Sequence, residues 1–161
     1  MKKTSIRLTL YVLAVLFISS CASTKKINVR RQKISKVVAT AQTFIGTPYR
    51  YGGTTRKGMD CSALLMNSYQ TIDVALPRTA KAQSDFGKKV SINNLQPGDL
   101  VFFARKKGRR KVTHAGMVTR VRGKDDIRFI HASSSRGVIE NNLLSKYYRG
   151  VFVKARRPIE L

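Results

Sequence analysis

Val112-Thr-His-Ala-Gly-Met-Val-Thr-Arg-Val-Arg122 and Ile127-Arg-Phe-Ile-His-Ala132 are rich in β-branched and aromatic residues and flank Gly123-Lys-Asp-Asp126. Two such runs about a short polar loop read as an antiparallel hairpin. The chain has two histidines, His114 and His131, one in each strand. Side chains alternate across a sheet, so both imidazoles share a face in either of two registers. With the loop at 123–126, His131 lies opposite Val118, four residues or roughly 13 Å along the strand from His114. With the loop at 122–125 it lies opposite Gly116, two residues or roughly 7 Å away. Only the second register brings the rings within reach of each other.

Upstream, Gln96-Pro-Gly98 turns the chain into a strand over Asp99 to Ala104, and downstream Val138 to Glu140 and Gly150 to Lys154 supply short strands. Between the first of these and the hairpin, Arg105 to Lys111 is basic apart from Gly108 and reads as a solvated loop. The N-terminal half has helical periodicity. Ile34, Val37, Val38, Ala41 and Ile45 form one apolar stripe that Gly46 and Pro48 bring to an end. Asp60 stands where an N-cap belongs, and Leu64, Leu65, Tyr69 and Ile72 follow at helical spacing, so Cys61 falls in a first helical turn. A short helix is expected around Thr79 to Phe86. Helices first and an antiparallel sheet afterwards make an α+β domain over 34–161.

With 161 residues, 42% of them apolar, the chain suits one compact domain plus a short extension, and collagen-like, disordered and disulfide-framework classes are excluded. Residues 1–20 read as an export signal. Lys2, Lys3 and Arg7 precede an 11-residue apolar run, Leu8 to Ile18, that ends in small residues. The run is too short for a hydrocarbon core of about 30 Å, which takes roughly 20 helical residues. Ile18-Ser-Ser-Cys21 resembles the lipobox of bacterial lipoproteins, cut before a cysteine that is then acylated; ordinary cleavage after Ala22 is the alternative. Residues 21–33, polar and basic, are then a flexible tether from a lipidated Cys21 to the domain. Removing residues 1–20 with their three basic side chains takes the net charge from +24 to +21. The expected place is the cell envelope, on the periplasmic face of the outer membrane, with a lipid anchor holding the protein there.

Once Cys21 carries lipid, Cys61 is the one remaining thiol of an exported chain, which calls for a chemical role. A helix N-terminus favours negative charge and is expected to lower a thiol pKa from its usual value of about 8.5. A cysteine nucleophile needs a base and a group that orients the base. Cys61, His114 and His131 suit those three roles. Other readings are a small buried hydrophobe, a Cys21–Cys61 disulfide, and a zinc site, although no closely spaced ligand pair supports zinc. No metal or organic cofactor is required.

The same residues sit within an ordered series of motifs: Gly46-Thr-Pro-Tyr-Arg-Tyr-Gly-Gly53, Gly58-Met-Asp-Cys-Ser62, Leu76-Pro-Arg-Thr79, Leu95-Gln-Pro-Gly-Asp-Leu-Val-Phe-Phe103, His114-Ala-Gly-Met-Val118 and Phe129-Ile-His-Ala-Ser133. From about Lys36 to Pro158 the chain resembles the NlpC-type cell-wall cysteine peptidases, papain-like in architecture. The resemblance implies N-terminal helices against an antiparallel half-barrel, with Cys61 as nucleophile, His114 as general base and His131 orienting it. It also implies that Tyr49 helps the Cys61 amide to stabilise an oxyanion, and that Asp60, Ser62 and Arg78 meet polar groups of the substrate. Asp60 reads equally as the helix cap, and Arg78 as a solvated arginine. Ala63 and Val118 depart from the glycine and tyrosine usual in the family. The implied activity is a peptidoglycan endopeptidase cutting stem peptides at the D-alanyl to diaminopimelate cross-link or the γ-D-glutamyl to diamino acid bond. An amidase or acyltransferase with the same Cys-His pair, and a non-catalytic wall-binding lipoprotein, are the alternatives. Export disfavours nucleic acid as a partner.

Overall fold

The computed structural model describes residues 27–123 and 125–158. The expected signal peptide, 1–20, and Cys21 lie outside the described residues. The described residues fall into two units, 27–33 and 34–158. Residues 27–33 of the first unit are helical. This corrects the reading of the whole of 21–33 as flexible tether: Ile27-Asn-Val-Arg-Arg-Gln-Lys33 contains no Gly or Pro, and Arg, Gln and Lys lose little rotamer freedom in a helix.

In the second unit, residues 34–42 are helical (α1), and Val37 and Ala41 are fully buried. Ile45 is 52% exposed, in the turn over 43–46 rather than on the apolar stripe. Gly46 ends the segment at φ +86°, a conformation that side chains with a Cβ resist. A two-stranded ribbon follows, β1 (Thr54–Thr55) with β2 (Gly58–Met59), and then helices α2 (Cys61–Gln70) and α3 (Ala80–Gln83).

The remaining strands are β3 (Lys88–Val90), β4 (Leu100–Ala104), β5 (Val112–Arg122), β6 (Asp126–Ser133), β7 (Gly137–Asn142) and β8 (Phe152–Arg157), with helix α4 (Lys146–Val151) before β8. They form one antiparallel sheet in the order β3-β8-β4-β5-β6-β7. The sheet has a core on each face. Leu64, Leu65 and Tyr69 of α2 pack with Leu100, Phe102, Met117 and Ile130 on one, while Phe103, Val118, Phe129 and Val151 cluster on the other. This is the expected α+β arrangement of helices on an antiparallel sheet. Strand β3 and helix α4 were not anticipated, since neither Lys88-Lys-Val90 nor Lys146-Tyr-Tyr-Arg-Gly-Val151 is long enough to show a period.

The hairpin register is where strand chemistry meets the site. Near the turn Arg122 pairs with Asp126, between the two registers drawn from the sequence. Continued without interruption, that pairing sets His131 opposite Met117, on the other face from His114. Thr119 has no Cα partner and shifts the ladder by one, so Val118 faces Phe129 and Met117 faces Ile130. His131 therefore arrives opposite Gly116, as the second register requires. A Cβ at Gly116 would lie 2.7 Å from Phe129 Cδ2 and 3.2 Å from His131 Cβ, so the close approach of the strands excludes a side chain there.

Candidate active site

Asp60 adopts an extended conformation before α2 and its Oδ1 accepts from the Ala63 amide at 2.8 Å, as the N-cap reading expects. The cap also receives Ser62 Oγ at 2.8 Å, both terminal nitrogens of Arg78 at 3.1 and 2.8 Å, and the Gly52 amide at 3.1 Å. Burial works to raise the Asp60 pKa, but the Arg78 guanidinium, the Ala63 amide and the Ser62 hydroxyl outweigh it and hold it below the usual carboxylate value. Asp60, Ser62 and Arg78 thus engage one another, and Arg78 is an ion-paired residue rather than a merely solvated one.

That cap places Cys61 in the first turn of α2 as a free thiol, 8% exposed. Burial, the largest influence, pushes its pKa up to about 11; the Ala115 amide on β5 opposes this, while the Asp60 charge adds to it. The expected acidification by the helix N-terminus is therefore overturned: desolvation outweighs the amides of the first turn. The amide that meets the thiol belongs to the residue after His114. Tyr49, bridged to Met59 in the loop before α2, has its phenol pKa raised by burial and by Cys61.

His114 and His131 are joined at 2.9 Å, Nε2 to Nδ1. Two residues missed from the sequence complete the array. Tyr148 Oη–H donates to Asn141 Oδ1 at 3.1 Å, and His131 Nε2 lies 3.0 Å from that oxygen and 3.0 Å from Tyr148 Oη. Facing a carbonyl oxygen, His131 Nε2 carries the hydrogen, so its Nδ1 accepts from His114 Nε2–H and His114 Nδ1 is left bare. Burial, with His131 close by, brings His114 down to about 3; burial and the Arg136 charge lower His131 against the pull of Asn141. Phe129 stacks on His131 at 4.9 Å and Phe103 flanks His114 at 6.0 Å. A cleft of about 340 Å³ opens over the histidines, lined also by Tyr49, Arg105, Ser133 and Tyr147. Asn141 carried a faint signal: two places beyond Ile139, the partner of His131, it needed only a slightly longer β7. Tyr148, on the unforeseen α4, carried none.

Residues 46–157 match the model of the NlpC/P60 family. The chain belongs to the NlpC/P60 family. "Probable endopeptidase NlpC" of Escherichia coli (strain K12) is 35% identical over 158 residues, spanning 94% of this chain and 99% of that protein. "Murein DD-endopeptidase MepS/Murein LD-carboxypeptidase" of the same strain is 34% identical over 127 residues, 78% of this chain and 63% of that protein. Among solved structures, an NlpC/P60 family protein from Bacillus cereus aligns with a TM-score of 0.71 at 31% identity, over 79% of this chain and 40% of that one. As an NlpC/P60 member with endopeptidase relatives, the chain is a hydrolase of the peptidase type. The two departures from the family pattern are both buried: Ala63 within α2, and Val118 against Phe129 in the second cluster.

Proposed function

We propose that this NlpC/P60 protein is a peptidoglycan endopeptidase that cuts stem-peptide amides through Cys61, His114 and His131. The observation that carries the reading is the hydrogen-bonded series Asn141–His131–His114, ending at a bare nitrogen beside the strand residue whose amide meets the Cys61 thiol. With the thiol raised and the imidazole lowered, both are neutral at rest. Thiol deprotonation is then coupled to attack rather than completed beforehand.

As the sulfur bonds to the carbonyl carbon, its proton passes to His114 Nδ1, and the carbonyl π electrons move onto oxygen. His131, held by Asn141, steadies the imidazolium. The Cys61 amide and the Tyr49 hydroxyl stabilise the oxyanion, and the raised Tyr49 pKa keeps that hydroxyl a donor. When the C–N bond breaks, His114 returns the proton to the departing amine and a thioester remains. Water then attacks the thioester, passing its proton by way of His114 to the leaving thiolate.

The bond is the D-alanyl to diaminopimelate cross-link or the γ-D-glutamyl bond, and the MepS relative supports the cross-link. A lipidated Cys21 in the cell envelope, at the periplasmic face of the outer membrane, would bring the basic domain close to the anionic wall polymer. Mass spectrometry of muropeptides incubated with wild type and Cys61→Ala tests the proposal. Loss of cross-linked dimers or of γ-D-glutamyl bonds with wild type alone is expected; equal digestion by both proteins refutes it.

A further inference from the structure

The cleft is unevenly charged in a way the reaction does not use. Arg105 lines it, together with Ser133 and Ser134, and no Asp or Glu is among its lining residues. Arg136 is exposed in the turn between β6 and β7, two residues after Ser134, and is not itself among the residues that line the cleft. Its side chain hydrogen-bonds to Tyr148, which lines the cleft beside His131, so it stands at the rim of the histidine end. Among the described residues, Arg78, Arg120, Arg128, Arg156 and Arg157 each form an ion pair with an aspartate, whereas Arg105 and Arg136 have no carboxylate partner. Glu140, on the neighbouring β7, bonds to Gln42 instead.

The group that protonates a leaving nitrogen must lie against it, so the amine-bearing half of the substrate occupies the His114 side of the cleft. A guanidinium suits a carboxylate because its planar fork can donate two parallel hydrogen bonds. Resting on the cross-link form of the endopeptidase reading above, in which the side-chain amine of the diamino acid is the leaving group, we propose that Arg105 and Arg136 form a subsite for a free carboxylate beside that amine. The enzyme thereby selects an amine donor that is a diamino dicarboxylic acid over one that is lysine.

The test separates binding from cleavage. Cys61→Ala protein is titrated with two stem peptides that differ only in the residue supplying the amine, diaminopimelate or lysine, which differ by that single carboxylate. With both arginines present, the diaminopimelate peptide is expected to bind about tenfold more tightly, the effect of one charge-assisted contact. The difference should shrink as salt is added. In the Arg105→Gln/Arg136→Gln double variant the preference disappears while the circular dichroism spectrum is unchanged. Equal affinity for both peptides in the parent, or a preference that survives in the double variant, overturns the subsite. Should wild type cleave neither cross-linked peptide while the preference holds, the endopeptidase reading fails and the subsite stands.

Discussion

Asn141 determines which nitrogen of each imidazole carries hydrogen. Its Oδ1 takes the Tyr148 hydroxyl and faces His131 Nε2, and that orientation passes along the pair to leave His114 Nδ1 open. Replacing Asn141 with Ala should lower kcat about tenfold with KM unchanged, the cost of one lost buried hydrogen bond in the proton-handling chain. Asn141→Asp, which still accepts, should restore turnover and move the acid limb of the rate profile to higher pH; steady-state kinetics across pH checks both. The same histidines tie stability to acidity. His114 falls from 6.5 to about 3 on folding and His131 is lowered too, so below about pH 6.5 the unfolded chain binds protons that the folded chain does not. Stability should therefore fall as pH drops from about 6.5 toward 3, and His114→Gln should flatten this dependence in thermal melts. Cys61, His114 and His131 were singled out by residue type, in a chain with two Cys and two His, whereas Tyr49, one of six tyrosines, was named only through the family resemblance. The thiol pKa was not legible, because the desolvation that governs it comes from elements distant in sequence.

Within the β5–β6 hairpin, pairing parity decides whether the two rings meet. The ladder that starts at Arg122–Asp126 reaches the histidines correctly only through the extra residue Thr119, and Gly116 keeps the strands close at the crossing point. Gly116→Val should press on Phe129 and His131, destabilising the protein by about 1–3 kcal/mol as overpacking does, and reduce turnover further than the stability loss explains. Denaturant titration paired with activity measurements reads both effects. The sequence pattern placed both strands to within a residue or two but left two registers open, because β-branched alternation fits several loop lengths. A bulge has no compositional mark of its own.

Taken as a whole, the molecule carries 32 Lys and Arg against 8 Asp and Glu. The basic run Arg105–Lys111 is exposed, beginning at the cleft with Arg105. Attachment to isolated wall sacculi should weaken as ionic strength rises from about 0.01 to about 1 M, over which the screening length shrinks from roughly 30 to 3 Å. Cosedimentation of Cys61→Ala protein measures it, and salt-insensitive attachment would contradict a charge-driven encounter. The primary sequence alone determined the helix-then-sheet order, the cap on α2, the cysteine that follows it and the positive charge, because these depend on residue type and short-range period. Tertiary structure decided the hairpin register, the enlistment of Asn141 and Tyr148 behind His131, the pairing of Arg78 with Asp60 and the burial that raises the thiol pKa. Each of these depends on how close residues far apart in the chain come to one another and on how much water they exclude, and no local pattern encodes either.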